Sequence, residues 1–108
     1  MKIDEEVQEV IGKEFDNFIK SGFVLIDFFA EWCMPCLMME PILNELNEKF
    51  AEKIKFGKVN IDSEKVLAQK FNVKSIPNFI LFKNGKIVQQ FVGAMSQDDF
   101  EEKLKEHI

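Results

Sequence analysis

The sequence predicts an α/β fold: a central mixed five-stranded sheet flanked by four helices on both faces. Three observations carry that prediction. The run FVLIDFF (23–29) is apolar at every position but Asp27, the pattern of a strand covered on both sides, as in parallel sheets. A stretch with helical apolar spacing follows it, and then a second apolar run, IKFGKVNI (54–61), so that 23–61 reads as a βαβ unit. Near the C-terminus two further apolar runs flank Asn84-Gly85, a dipeptide that favours a tight primed turn and hence an antiparallel hairpin over 79–92.

The elements follow in chain order. VQEVI (7–11) reads as a short strand and KEFDNFIKS (13–21) as a short helix. After the strand 23–29, apolar residues at Met38, Met39, Ile42, Leu43, Leu46 and Phe50 predict a helix over 34–50 with these side chains toward the core. Pro41 lies inside it, removes one backbone donor and predicts a kink. SEKVLAQKF (63–71) predicts a short helix capped by Ser63. SQDDFEEKLKEHI (96–108) predicts a closing helix with Ser96 as N-cap, acids in its first turn and an apolar stripe at Phe100 and Leu104. His107, at its end, reads as a solvated residue.

A chain of 108 residues that is 46% hydrophobic suits one domain, residues 1–108, with a core that needs no covalent staple. The net charge is −5, from 14 lysines, no arginine and 19 acids. The lysines are scattered, which argues against nucleic acid as a partner. The N-terminus MKIDEEVQEV is acidic and has no apolar core, so it does not read as a secretory signal. No stretch is apolar for long enough to span a membrane. The expected location is cytoplasmic, where structural disulfides are rare.

The two cysteines, Cys33 and Cys36, lie in AEWCMPCLMME (30–40). A bridge between them closes a loop so short that chain entropy yields only about 2 kcal/mol, against about 3 for fifteen residues. Structural stapling is therefore a poor reason for the pair. A tetrahedral metal site needs two more ligands, and His107 is far away in sequence. Redox chemistry fits better. Residues i and i+3 on a helix are neighbours, close enough for a disulfide to form and break. Cys33 falls at the helix N-terminus, where free N–H groups and the dipole favour a thiolate. The spacing thus predicts Cys33 as nucleophile and Cys36, one turn inside, as the resolving thiol. A C-x-x-C beside a βαβ pattern is a specific signal for this chemistry.

The segment FFAEWCMPC resembles the active-site segment of the thioredoxin family, usually W-C-G-P-C. DFFAEWC, KVNID, SIPNFILFKNGK and VGAMS match family landmarks in order, so the likeness covers nearly the whole chain. It implies the thioredoxin fold and a general protein-disulfide reductase. The substrates would be protein disulfides, and a thioredoxin reductase, flavin- or ferredoxin-dependent, would regenerate the dithiol. No bound cofactor is implied beyond the Cys33–Cys36 pair, and the expected state is a monomer. The rivals are a glutaredoxin-like or dedicated-partner oxidoreductase and a thioredoxin-fold binding module. The chain shows no basic cluster suited to the carboxylates of glutathione.

The resemblance also weights the supporting residues. Asp27 is the one charge in an apolar strand, and spacing alone divides evenly between a structural and a functional carboxylate. The family match implies proton transfer to and from Cys36, with burial raising its pKa. Lys58 reads from sequence alone as a solvated strand lysine; the match implies that it modulates Asp27. Pro77 alone reads as a strand-entry proline, and the match implies a cis Ile76–Pro77 bond facing the cysteines. Trp32, Met34, Ile76 and the turn Gly93-Ala94-Met95 are then expected to rim an apolar substrate patch, with the Ile76 backbone open to an extended segment. Pro35 restricts how the cysteines move relative to each other. Met34 stands where the family usually has glycine, Leu37 where lysine or arginine is common, Phe29 for a tryptophan and Asn78 for a threonine. The first two bear on the redox potential.

Overall fold

The computed structural model describes residues 7–108. The expected domain, 1–108, includes residues 1–6, which lie outside the described residues, as does most of the N-terminal segment read above. Among the described residues the elements run β1 (Gln8–Glu9), α1 (Gly12–Ile19), β2 (Phe23–Phe29), α2 (Met34–Lys49), β3 (Ile54–Asn60), α3 (Lys65–Lys70), β4 (Asn78–Lys83), β5 (Lys86–Val92) and α4 (Gln97–Lys105). The sheet order is β1-β3-β2-β4-β5. β2 pairs in parallel with β3, which pairs in parallel with β1; β4 is antiparallel to both β2 and β5. The mixed sheet predicted from the sequence is therefore the observed one.

Alternation along β2 divides the core in two. Val24, Ile26 and Phe28 join Phe15 and Ile19 of α1, Leu67 of α3, and Ile80 and Phe82 of β4. Leu25 joins Met39, Leu43 and Leu46 of α2, Phe100 and Leu104 of α4, and Phe79 and Leu81 of β4. Helices α1 and α3 thus cover one face, α2 and α4 the other. Phenylalanines weld each layer: Phe79 packs on Phe100 with ring centroids 4.8 Å apart, and Phe15 on Phe71 at 5.4 Å.

The turn chemistry explains the joints. Asn84 and Gly85 both take positive φ, 51° and 85°, as a primed turn requires. The Asn84 side chain accepts from the Gly22 amide at 2.8 Å, which ties the hairpin tip to the start of β2. Ser96 Oγ accepts from the Asp99 amide at 3.1 Å, the expected cap of α4.

Several expectations need correction. The strand expected over 7–11 pairs only at Gln8–Glu9. Ser63 does not cap α3: that helix starts after Glu64, without a side-chain cap. Asn60 takes over the turn instead, its Oδ1 accepting from the amides of Asp62 at 2.9 Å and Ser63 at 3.4 Å. α2, by contrast, runs through Pro41 as the sequence predicts, with the proline on its exposed side. Met38, expected in the core, is 68% exposed, whereas Met39 is 1% exposed. The inward stripe is Cys36, Met39, Leu43 and Leu46, and one helical step of 100° carries Met38 off it. β5 is an edge strand, mostly exposed, with only Phe91 half-buried. The His107 ring rests against that of Phe91, 6.3 Å between centroids, instead of standing free in solvent.

The two methionines make the helix register testable. Met39→Ala is expected to destabilise by about 2–5 kcal/mol, and Met38→Ala to stay within about 0.5 kcal/mol, in urea unfolding. Equal effects would contradict this register.

Candidate active site

The C-terminal end of β2 runs straight into the cysteines. A turn brings the Cys33 amide to the Ala30 carbonyl at 3.2 Å, and the Leu37 amide bonds the Cys33 carbonyl at 3.1 Å to open α2. Cys33 is the N-cap, with extended backbone (φ −89°, ψ 105°), and Pro35 occupies the first turn. There a proline sacrifices no hydrogen bond. The Cys33 sulfur accepts from the Cys36 amide at 3.2 Å. Cys33 and Cys36 are joined as a disulfide, with Cα atoms 5.2 Å apart. In the dithiol form the same N–H and the helix dipole favour a thiolate on Cys33.

Both cysteines are buried, Cys33 at 5% exposure and Cys36 at 2%. The difference has the expected sign but is small. They pack with Phe29 and Ala30, and Ile61 and Ile76 close over them.

The rim is apolar. Trp32 is 69% exposed, and Met34, Leu37 and Met38 are exposed beside it. Trp32 thus lies on the surface as expected, and its indole N–H donates to Asp62 at 2.8 Å. Asp62 escaped the sequence reading; its only signal there is an acid just past the end of β3. Ile76–Pro77 is cis, and the Pro77 carbonyl accepts from the Gly93 amide at 2.8 Å. Gly93 has φ 99°, and a Cβ there would meet no neighbouring atom within 4 Å. Backbone conformation, not crowding, calls for glycine at this position. Ala94 is exposed, whereas Met95 turns inward onto the core beneath α2 and α4. Asn78, buried behind Pro77, accepts from Gln90 at 2.9 Å and donates to the Ser75 carbonyl at 3.3 Å, so its amide is satisfied.

Asp27 lies on the face of β2 that looks toward α2. Its register neighbours are Lys58 on β3 and Phe79 on β4. It is buried, and its Oδ1 has no hydrogen-bond partner among the described residues. Burial pushes its pKa from 3.8 up to about 7; the Lys58 charge pulls it down and the Glu40 charge pushes it further up. Asp27, Lys58 and Glu40 share a small cavity of about 70 Å³ with Val7, Leu43 and Asn44. The Lys58 ammonium also stands 5.3 Å from the centre of the Phe29 ring. Glu40 was not singled out from the sequence, because one more acid on an acidic helix carries no signal.

Among the described residues no group of three or more histidines, cysteines, aspartates or glutamates is arranged to hold a metal ion. No described helix is long and apolar enough to cross a membrane.

The arrangement matches known proteins along nearly its whole length. The thioredoxin family model covers residues 6–106. The chain is 45% identical over 101 residues to a thioredoxin of Chlamydia caviae, spanning 94% of this chain and 98% of that one. It is 36% identical over 105 residues to a thioredoxin of Haemophilus influenzae, spanning 95% and 98%. A chain solved in work on thiol resolution in yeast mitochondrial 1-Cys peroxiredoxin via glutathione/thioredoxin systems superimposes with a TM-score of 0.84. That chain is 30% identical, and the match covers 93% of this chain and 94% of that one. The chain belongs to the thioredoxin family, and its Cys33–Cys36 pair makes it a thiol–disulfide oxidoreductase that reduces protein disulfides.

Proposed function

We propose the following division of labour within this reductase. The Cys33 thiolate attacks a disulfide of a partner protein and expels one partner thiol. Cys36 then attacks Cys33 in the mixed disulfide, releases the second thiol and leaves the Cys33–Cys36 disulfide. The observation that carries this reading is the N-cap geometry: the Cys33 sulfur accepts the Cys36 N–H at a helix N-terminus, which favours a nucleophilic thiolate and a good leaving group at Cys33.

Asp27 takes the Cys36 proton as Cys36 becomes a nucleophile. A carboxyl group with a pKa near 7 suits this task, because it accepts and returns a proton with little bias at neutral pH. Lys58 limits how far burial raises that value. Trp32, Met34, Pro35, Ile76, Gly93 and Ala94 form the substrate surface; Pro77, expected there from the sequence, is buried beneath it and acts through the Ile76 backbone. Exposed apolar side chains there bind by contact area, while the Ile76 backbone pairs with an extended partner segment. The partners are protein disulfides and a thioredoxin reductase, flavin- or ferredoxin-dependent. The protein acts as a single domain, 1–108, as a monomer in the cytoplasm, with no bound cofactor.

Dithiol-driven reduction of insulin tests the roles. Wild type reduces insulin, Cys33→Ser abolishes the activity, and Cys36→Ser accumulates mixed disulfides visible by mass spectrometry. Mixed disulfides trapped by Cys33→Ser and not by Cys36→Ser would reverse the assignment.

The buried carboxyl group also predicts a pH dependence of stability. Its folded-state pKa lies above its unfolded value, so between about pH 4 and 7 the folded protein binds more protons than the unfolded one. Stability at this group is therefore fully present below pH 4 and falls as pH rises, by roughly 4 kcal/mol once pH passes 7. Asp27→Asn removes this slope, so its stability advantage over wild type should grow from pH 4 to pH 8 in urea unfolding. A constant difference across that range would show that the carboxyl group is not strained by burial.

A further inference from the structure

Asp27 can serve Cys36 repeatedly only if its own proton reaches solvent. A group with a pKa near 7 is about half protonated at pH 7, so it must often discharge before it can accept. After each resolution step it must discharge again. Burial blocks the direct route. The space beside Asp27 is the small cavity between β2, β3 and α2, and at about 70 Å³ it exceeds the roughly 15 Å³ that one water requires.

The described residues lining that cavity differ sharply in what they can do with a proton. Val7 and Leu43 are apolar. The Asn44 Oδ1 already accepts from the Val7 amide at 3.2 Å, and an amide is no base at neutral pH. Lys58 is an ammonium group without a lone pair. Glu40 is the one carboxylate there besides Asp27 itself. It is half-buried on α2, with one end in the cavity and part of its surface in solvent. It also lies four residues after Cys36, so the two share one helix face, and helical side chains lean toward the N-terminus, here toward Cys36. Asp27 meets Lys58 from β3 and Glu40 from α2, while its β4 neighbour is the apolar Phe79.

We propose that Glu40 is a positioning residue for the reductase, the relay through which Asp27 exchanges its proton with solvent across the cavity. The proposal rests on Asp27 being the proton acceptor for Cys36. The balance is closed. The Cys36 proton moves to the Asp27 carboxylate, and the Cys36 thiolate attacks Cys33 and expels the partner thiolate. The Asp27 proton then passes over the cavity to the Glu40 carboxylate and on to solvent. The expelled thiolate takes a proton from solvent. The sum converts a thiol and a mixed disulfide into the intramolecular disulfide and a free thiol. The negative charge of Glu40 also repels that of ionised Asp27 and so adds to the rise in the Asp27 pKa that burial begins.

The test is stopped-flow oxidation of the reduced protein by excess insulin, followed through Trp32 fluorescence, at several pH values and buffer concentrations. Glu40→Gln should slow the resolving step about tenfold near pH 7 in dilute buffer, and rising concentrations of a small carboxylate buffer should restore it. Glu40→Asp should retain most of the rate, and both variants should melt like wild type. A Glu40→Gln rate that superimposes on wild type at every pH and buffer concentration overturns the relay. So does a shifted pH profile without loss of maximal rate, which would make Glu40 only a neighbouring charge. Asp27→Asn is the control for the underlying reading: if it resolves as fast as wild type, Asp27 itself is not the acceptor. If it is slow and Glu40→Gln is not, the relay alone fails. Should Glu40→Gln fold poorly, the carboxyl ¹³C resonance of Asp27 in Glu40→Ala supplies a second measure. Its exchange broadening near the titration midpoint should fall as carboxylate buffer is added to that variant, and an unchanged line width counts against the relay.

Discussion

Burial of β2 on both faces is the constraint on which the rest of the molecule depends. Its side chains feed two separate cores, and a slip of one residue would exchange the two sets wholesale. That fixed register turns Asp27 toward α2, where water is scarce, and ends the strand beneath Cys33. One strand therefore supplies both the shift in the pKa of the carboxyl group and the aim of the helix N-terminus. Neither would survive if β2 were an edge strand, because solvent would then reach Asp27 and relax the desolvation that shifts it.

The order of elements was legible because apolar period changes are large: both-face runs for β2 and β3, an Asn-Gly turn for the hairpin, a serine cap and an apolar stripe for α4. The failures share a cause. Met38 and Met39 are adjacent, equally apolar and fit one broad helical stripe; only the packing of Leu43 and Leu46 against the sheet decides which points inward. Ser63 looked like a cap because the competing acceptor, Asn60, sits in the preceding strand. In the site, the cysteines and Asp27 stood out by contrast with their surroundings. Lys58 carried no such contrast, and its role came from likeness to the family. Glu40 and Asp62 are ordinary acids in the sequence, and their positions beside Asp27 and Trp32 exist only after β2, β3 and α2 have packed.

The exposed rim follows a different logic from the core. Trp32, Met34, Leu37 and Met38 stand in solvent although the chain has apolar surface enough to fold without them. Trp32 is held by the Asp62 hydrogen bond, so it offers a broad face in a fixed orientation. The methionines have three rotatable bonds and a polarisable sulfur, which let them follow varied partner shapes. A fixed aromatic beside adaptable thioethers suits the substrate surface proposed above, where partner shapes would vary. Leu37, in place of a cation, keeps this rim apolar up to the cysteines.

The smallness of the Cys33–Cys36 loop has a consequence for the fold as a whole. Chain entropy credits so short a bridge with only about 2 kcal/mol, while a domain of this size has a net stability of about 5–15 kcal/mol. The two aromatic-rich cores, which lie away from the bridge, carry the remainder. Opening the disulfide is thus expected to leave β2, α2 and the rim in place, with the Cys36 amide placed to donate to a Cys33 thiolate. Redox state can cycle without unfolding because the switch is local and the scaffold that positions it does not depend on which state it is in.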